Sequence, residues 1–290
     1  MNRSYLFVPA DSERKFVKAL VSGADALILD LEDAVADAAK ESARQALPER
    51  LGTAAEPELW VRVNPVNSQH NRRDIDALQQ QPPAGVVLPK CRGADDLRTL
   101  EARLATMERR AGVSVGSTRV LPLVTECAEA LFGVSEYAQV RERLVGLTWG
   151  AEDLAADVGA EANKDADGNW LPTFELARSL CLLGAAAAGI PAIDTVYVDV
   201  RNAEGMEAFA NRARRDGFAG MLAIHPAQLA AIHKAFTPSA DALARARRII
   251  ALFDDNPGVG VLELDGRMLD RPHYVQAQRL LAVARRTGSS

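Results

Sequence analysis

Cysteine and histidine are scarce in this sequence, which limits the metal and disulfide chemistry that it can support. Its 290 residues include three cysteines and four histidines, and these form neither a Cys pair nor an HxxxH spacing. A zinc site of the usual kind is therefore not expected. The unpaired cysteine spacing also indicates a reducing compartment, so the cytoplasm is the expected location.

Long apolar runs and glycine-rich nucleotide motifs are also missing. The longest apolar stretch, 180–193, is too short to span a bilayer. The motifs GxxxxGK[ST], GxGxxG and GxSxG do not occur, which argues against P-loop phosphoryl transfer, dinucleotide binding and serine hydrolysis. The net charge of −5 and the pI near 5.5 disfavour a nucleic acid or an anionic membrane as a partner.

Short apolar segments alternate with helical patterns along the first 226 residues. Their apolarity is continuous, which is typical of parallel strands buried on both faces. The eight predicted strands are 5–8, 26–30, 59–64, 85–89, 119–124, 144–150, 193–198 and 220–224. Helices are predicted between them, for example over 12–22, 95–110, 174–188 and 205–216. This alternation predicts a TIM barrel, a (β/α)8 fold, over residues 1–230, with a doubly wound sheet as the alternative.

The remainder of the chain, 231–290, does not continue this alternation. It predicts a helix over 239–253, a short strand over 259–264 and a turn at Asp265–Gly266. A last helix is predicted over 272–286, with Pro272 suited to its first position. We expect a C-terminal helical extension that packs on a neighbouring subunit.

Polar side chains, all but one of them charged or titratable, accompany the ends of six of the eight predicted strands. They are Asp30, Glu32, Asp33, Arg62, Asn64, Lys90, Glu126, Glu152, Asp153 and His225. In such barrels the strand ends meet at one rim, where the reacting groups lie. Glu126 and Asp153 suit Mg²⁺, which takes few carboxylates together with water and substrate oxygens. These residues predict a metal-dependent lyase or aldolase with Arg62 as the clamp on a substrate carboxylate, the alternative for Arg62 being a structural ion pair with Glu32 or Asp33 at the rim.

Several motifs together resemble those of the citrate lyase β-subunit-like family, within the HpcH/HpaI aldolase superfamily. They are RSYLFVP at 3–9, LDLEDAV at 29–35, RVNP at 62–65, LPK at 88–90, GAEDL at 150–154, GFAG at 217–220, IHP at 224–226 and DGRMLDRP at 265–272. The match runs in the right order over nearly the whole chain. The run of acids at 30–33 is its most specific part.

The resemblance implies a metal site and a substrate clamp. It implies Mg²⁺ held by Glu126 and Asp153, and Arg62 on the substrate carboxylate. Glu32 and Asp33 match acids that lie near the waters on the metal and take part in catalysis. The family also implies a homo-oligomer, a trimer or a hexamer.

Further residues are expected at the substrate. Asn64 and Lys90 are expected to join Arg62 in binding it. Arg14, Lys15 and Lys18 lie where the family binds the phosphates of coenzyme A, although they are equally plausible as solvated charges.

Three other positions complete the comparison with the family. Asp270 matches the C-terminal catalytic aspartate, and we expect it to act as the carbon acid and base in the site of a neighbouring subunit. The alternative is that Asp270 caps the last helix. Cys127 replaces a threonine that often follows the metal glutamate, and Met221 replaces a common lysine, so the substrate preference is open.

The expected reaction is retro-Claisen cleavage of a 3-hydroxy-3-carboxyacyl-CoA to an acyl-CoA and a 2-oxo acid. Citramalyl-CoA, malyl-CoA and citryl-CoA all fit this description. Three alternatives stay open: a metal-dependent pyruvate aldolase on free acids and aldehydes, a citrate lyase β subunit in a multi-subunit complex, and a non-catalytic barrel that binds a 2-oxo acid.

Overall fold

The computed structural model describes residues 2–286, and they form two compact units. The first unit is Asn2–Ile232, and the second begins at His233. Helix α9 (Leu229–Phe236) contains the division between them. None of the described helices is long and apolar enough to cross a membrane.

The first unit is built on eight parallel strands, counted within the described residues. They are β1 (Ser4–Pro9), β2 (Ala26–Asp30), β3 (Glu58–Arg62), β4 (Gly85–Leu88), β5 (Arg119–Pro122), β6 (Leu147–Thr148), β7 (Ala192–Asp194) and β8 (Gly220–Ala223). Their order in the sheet is β5-β4-β3-β2-β1-β8-β7-β6. Parallel bridges between Val120 and Leu144 and between Leu123 and Thr148 connect the two outer strands. The predicted (β/α)8 barrel is confirmed, and the doubly wound sheet is wrong.

One helix follows each of β1 to β5 and β7, and two helices follow β6. They are α1 (Glu13–Leu20), α2 (Lys40–Leu51), α3 (Asn71–Ala77), α4 (Ala94–Ala111), α5 (Ala128–Gly133), α6 (Ala151–Asp157), α7 (Pro172–Ala188) and α8 (Ala203–Asp216). Short 3₁₀ turns lie at Asp37–Ala39, Val134–Gln139 and Pro226–Gln228.

Alternate strand residues fill the barrel interior. The buried cluster comprises Tyr5, Ala26, Ile28, Trp60, Val87, Leu121, Leu123, Ile193 and Leu222. The rings of Tyr5 and Trp60 pack edge to face with their centroids 5.6 Å apart. Gly85 makes room for this pair, since a Cβ there would lie 2.3 Å from Trp60 Cζ3. A glycine at the start of β4 is therefore required by the packing of the largest side chain in the core.

Four of the predicted strands extend two or more residues too far at their carboxyl ends. The predictions 59–64, 119–124, 144–150 and 193–198 correspond to strands that end at Arg62, Pro122, Thr148 and Asp194. The cause is burial without strand pairing. Trp149, for example, is fully buried just after β6, and its Nε1 donates a 2.6 Å hydrogen bond to Asp194 Oδ1. Continuous apolarity marks the buried start of a βα-loop as well as the strand before it.

The second unit contains helices and a hairpin. Helix α10 (Ala240–Asp254) precedes β9 (Val261–Leu264) and β10 (Arg267–Asp270), and α11 (Arg271–Arg286) follows. Asp265 and Gly266 join the strands with φ of 54° and 72°, which suits a two-residue hairpin turn. The tail is thus not purely helical, and β10 was not predicted. Its sequence, RMLD, lacks the apolar–polar alternation of a half-buried strand, and Leu269 is its one buried residue.

Candidate active site

Loops after β3, β4, β5 and β6 enclose a cavity of about 520 Å³. Its lining residues are Pro65, Asn67, Lys90, Arg92, Glu126, Cys127, Glu129, Asp153, Ala156 and Asp157. The fold therefore brings together three of the predicted site residues, Lys90, Glu126 and Asp153, at the carboxyl ends of the strands. This is the face on which barrel enzymes carry their active sites.

Glu126 is a buried carboxylate in a crowded acidic environment. Burial and the negative charges of Asp153 and Glu32 raise its pKa to about 8. Its Oε2 accepts a 2.6 Å hydrogen bond from the main-chain N–H of Lys90. A Cβ on Gly150 would lie 2.8 Å from its Oε1, so the carboxylate packs directly against the backbone that leads into α6. A cation here would stabilise the ionised form of Glu126.

The side chain of Lys90 contacts acids that follow two different strands, β2 and β6. Its Nζ donates a hydrogen bond to Glu32 Oε1 and lies 3.2 Å from Asp153 Oδ1 and 3.5 Å from Asp33 Oδ2. The loops after β2 and β6 therefore meet through the lysine that follows β4. The neighbouring Glu152 lies elsewhere, with its Oε1 2.9 Å from Asn163 Nδ2.

Arg62 forms a bidentate ion pair with Asp30. Its Nε donates to Asp30 Oδ1 at 2.7 Å, and its Nη2 donates to Oδ2 at 2.6 Å. Burial lowers the pKa of Arg62, but the hydrogen bonds and charge of Asp30 outweigh this and raise it above its ordinary value. The guanidinium carbon also stacks 4.7 Å from the centroid of the Phe7 ring. Arg62 is therefore a fixed, permanently charged group at the rim.

Glu32 contributes an unsatisfied oxygen to this cluster. Arg62 Nη1 lies 3.1 Å from Glu32 Oε2, yet this buried oxygen accepts no hydrogen bond within the described residues. Burial raises the pKa of Glu32, and Arg62 and Lys90 oppose that shift. Asp30 was missed as the main partner of Arg62, because the two residues are brought together by the β2–β3 register, which the sequence alone does not give.

Asn64 supports the loop after β2. Its Nδ2 donates to Leu31 O at 3.1 Å and to Asp74 Oδ2 at 2.7 Å, which uses both amide protons. Asp74 in turn accepts a 2.7 Å hydrogen bond from Arg44 Nε. The amide nitrogen of Asn64 has no proton left for a substrate in this arrangement, so its substrate contact stays a prediction that this geometry disfavours.

The expected coenzyme A residues lie on helix α1, where Arg14, Lys15 and Lys18 are exposed. They are not among the residues that line the cavity. Their contact with coenzyme A stays a prediction.

The two departures from the family motifs occupy different environments. Cys127 lines the cavity next to Glu126, and burial raises the pKa of its thiol. Met221 is fully buried in β8, where it pairs with Ser4 and Asp194. Of the two, only Cys127 borders the cavity.

Asp270 belongs to the second unit, at the end of β10. Its Oδ1 contacts His273 Nδ1 at 2.5 Å, and its main-chain N–H lies 3.2 Å from the same nitrogen. His273 was not singled out from the sequence, although its spacing of three residues into a predicted helix would have allowed this contact. The catalytic role of Asp270 stays a prediction.

The donor set fits magnesium better than zinc. No group of three or more His, Cys, Asp or Glu residues in the part of the chain described could hold a metal ion. The proposed pair Glu126 and Asp153 supplies two carboxylates, as Mg²⁺ sites completed by water and substrate often do. The pKa of Glu126, raised by burial and by the charges of Asp153 and Glu32, indicates negative charge at this site that a cation would neutralise.

Comparison with known proteins identifies similar chains over the full length. The model of the HpcH/HpaI aldolase/citrate lyase family matches residues 3–226. A citrate lyase subunit beta-like protein of Mycobacterium tuberculosis is 36% identical, over 99% of this chain and 96% of its own. A (3S)-malyl-CoA thioesterase of Cereibacter sphaeroides is 34% identical, over 97% and 94%. The structure of Mycobacterium tuberculosis CitE with magnesium, acetoacetate and coenzyme A has a TM-score of 0.78 and 34% identity, with 98% of both chains covered.

Proposed function

The chain belongs to the HpcH/HpaI aldolase/citrate lyase family and is a lyase, and from this premise we propose that it cleaves a 3-hydroxy-3-carboxyacyl-CoA to an acyl-CoA and a 2-oxo acid. The observation that carries this proposal is the convergence of Glu126, Asp153 and Lys90 on one cavity at the strand ends. The fixed guanidinium of Arg62 belongs to the same network through Glu32.

The relatives support this class of substrate. Their names include a citrate lyase β subunit and a (3S)-malyl-CoA thioesterase, and one solved relative holds magnesium, acetoacetate and coenzyme A together. Citramalyl-CoA, malyl-CoA and citryl-CoA share the 3-hydroxyl and the adjacent carboxylate. A cavity of about 520 Å³ can enclose that acid portion of the molecule, while the coenzyme A portion would lie outside it.

Glu126 and Asp153 would hold Mg²⁺, which when bound supplies positive charge for the oxygen of the 2-oxo acid product. Glu126 would have to be ionised to hold the cation. In the metal-free protein the pKa of this carboxyl is raised to about 8, and a bound cation would lower it because positive charge stabilises the carboxylate.

The protein's own groups would bind the acid and handle the protons. Arg62 would neutralise the carboxylate next to the 3-hydroxyl, held in place by Asp30. The 3-hydroxyl proton would pass to Glu32 or Asp33, the carboxylates expected to take part in catalysis, while the C2–C3 bond breaks and its electrons pass to the thioester enolate. Asp270 of a neighbouring subunit, in its protonated form, would then give its proton to the enolate carbon, so that one proton is taken up and one is delivered.

The test is product analysis with purified protein, Mg²⁺ and each candidate thioester in turn. Release of a 2-oxo acid and an acyl-CoA in equal amounts, abolished by a chelator and by Asp153→Asn, is expected. Free coenzyme A and a hydroxy acid would instead indicate thioester hydrolysis, as the name of one relative suggests. Turnover of pyruvate and aldehydes without any thioester would favour the aldolase alternative.

A further inference from the structure

Lys90 contacts the proposed metal ligands through both its main chain and its side chain. Its N–H donates to Glu126 Oε2 at 2.6 Å, while its Nζ lies 3.2 Å from Asp153 Oδ1. The Nζ also donates to Glu32 Oε1. One residue therefore neutralises or hydrogen-bonds both carboxylates to which the cation is assigned.

The backbone of Lys90 adopts an unusual conformation to make these contacts. Its φ of 51° lies in the left-handed region, which residues with a side chain seldom occupy. Among residues 2–286, Asp265 is the other non-glycine residue with positive φ, and there the hairpin turn explains it. No hairpin explains Lys90. Strained conformations persist where the surrounding contacts fix them, and the contacts at Lys90 are those with Glu126 and Glu32.

Lys90 carries a permanent positive charge in this position. Burial lowers its pKa, but the hydrogen bond to Glu32 and the charges of Asp153 and Glu126 raise it above the ordinary value of a lysine. The ammonium therefore already supplies one positive charge to the acidic cluster. A divalent cation bound to Glu126 and Asp153 would compete with the ammonium for the carboxylate of Asp153 and would repel the ammonium.

The side chain has room to move when it is repelled. Lys90 lines the cavity, and its side chain is 31% exposed. Glu32 and Asp33 lie on the opposite loop from Asp153, so the ammonium can leave Asp153 and keep other partners. The cavity that it lines is also where an anionic substrate would enter.

We propose that Lys90 is a displaceable internal counter-ion of the metal site. Its ammonium neutralises Asp153 and Glu32 before a divalent cation binds, and it leaves Asp153 when the cation binds. The displaced ammonium is then available to an anionic group of the substrate, so metal binding prepares the cavity for the acid. This inference rests on the proposed function of Glu126 and Asp153 as metal ligands.

The first test compares Mg²⁺ affinity in Lys90→Gln and Arg92→Gln by calorimetry without substrate. Arg92 lines the same cavity, and its substitution by Gln removes one positive charge, as Lys90→Gln does. Its ion-pair partners are Asp96 and Glu129 instead of the proposed metal ligands. Lys90→Gln should bind Mg²⁺ about tenfold more tightly than the wild type, because a competing cation is removed. Arg92→Gln should bind Mg²⁺ as the wild type does, and Lys90→Arg, which keeps the charge, should not gain affinity.

Thermal unfolding gives a second measurement on the same proteins. In a chelator Lys90→Gln should have a lower Tm than the wild type, since its acids have lost their counter-ion. Saturating Mg²⁺ should close that gap. A lysine that only packs the loop would lower the Tm equally with and without Mg²⁺, and that result would overturn the proposal.

A third measurement uses the wild-type protein, so that it does not depend on a folded variant. Acetylation of lysines by an amine-reactive ester is followed by mass spectrometry with and without Mg²⁺. Release from Asp153 should make Lys90 react several-fold faster in Mg²⁺, while the exposed Lys18 should not change. An unchanged Lys90 would overturn the inference.

These results separate the inference from the proposed function. If the wild type binds no Mg²⁺ even with pyruvate, the metal site itself is wrong. If the wild type binds Mg²⁺ but Lys90→Gln binds it no more tightly, or Arg92→Gln gains as much, the metal site stands and the counter-ion role is wrong.

Discussion

Asp30 and Arg62 are paired residues of neighbouring strands, and their side chains also form an ion pair. They are opposite each other in the register of β2 and β3. Arg62 Nε donates to Asp30 Oδ1 at 2.7 Å, and Arg62 Nη2 donates to Asp30 Oδ2 at 2.6 Å. Asp30 also accepts hydrogen bonds from the N–H groups of Glu32 and Ala34, at 2.9 and 3.1 Å. Strand pairing therefore fixes the direction of the guanidinium and the path of the acidic loop together.

Arg62→Lys should fold and lose activity. A lysine keeps the charge but cannot form the bidentate pair, so kcat/KM should fall on the order of 10²-fold, the scale of one lost charge-stabilising donor. Arg143→Lys is the matched control, because Arg143 forms a similar buried pair with Glu108, at 2.7 and 2.8 Å, near the amino end of β5. That control should lose stability and keep its kcat/KM. Equal losses of activity in the two variants would contradict a substrate role for Arg62.

The stability of the metal-free protein should fall as the pH rises toward 8. The folded-state pKa of Glu126, about 8, lies above the ordinary value of 4.5, so the folded protein holds a proton there that the unfolded chain has lost. Unfolding therefore releases a proton between these values, and a higher pH favours it. The Tm in a chelator should decline from pH 5 to 8, and Glu126→Gln should reduce that decline. Saturating Mg²⁺ should do the same, whereas Glu129→Gln, a change in the same cavity wall, should leave the slope unaltered.

Gly85→Ala should destabilise the barrel without touching the cavity. The new Cβ would lie 2.3 Å from Trp60, and overpacking of this kind typically costs about 1–3 kcal/mol. Gly260→Ala serves as the control, since nothing lies within 4 Å of its Cβ position and the change should stay within about 0.5 kcal/mol. Urea unfolding measures both, and an unaltered midpoint in Gly85→Ala would contradict the packing described for β4.

Asp270→Asn should lose activity rather than stability. A lost helix cap costs about 1 kcal/mol and little rate, whereas a lost general acid and base costs roughly 10²–10⁴-fold in kcat. Asp265→Asn is the control in the same hairpin, because Asp265 pairs with Arg248 at 2.7 Å and tolerates asparagine at its positive φ. A fully active Asp270→Asn enzyme would remove this aspartate from the mechanism.

Subunit sharing of Asp270 has its own test. Asp270→Asn and Arg62→Lys proteins are mixed, dissociated and reassembled, with exchange followed by mass spectrometry. If Asp270 completes the site of a neighbouring subunit, mixed oligomers contain some wild-type sites and regain activity. Confirmed exchange without recovery would assign Asp270 to its own barrel.

The strands and the rim could be predicted from the sequence because both follow from simple periodicity. Continuous apolar runs identify parallel strands, and the strand-end rule then places Lys90, Glu126 and Asp153 on one face. The structure bears out that convergence at a single cavity.

Pairing within the acidic run could not be predicted. Asp30, Glu32 and Asp33 are near neighbours in the sequence, so each of them is a candidate partner for Arg62. The β2–β3 register places Asp30 opposite Arg62. The contacts of Lys90 were hidden for a different reason, since they depend on a left-handed backbone that a lysine seldom adopts. The β10 strand was missed because its residues, RMLD, do not alternate between apolar and polar, and Leu269 is the one buried residue among them.

The most direct test of the account is the affinity for Mg²⁺ in the presence of pyruvate. Glu126→Gln and Asp153→Asn are compared with Glu129→Gln and Asp157→Asn, which remove acids from the same cavity wall. The account predicts that the first two lose on the order of 10²-fold or more in affinity, and that the second two bind as the wild type does. Wild-type affinity in both Glu126→Gln and Asp153→Asn would contradict it.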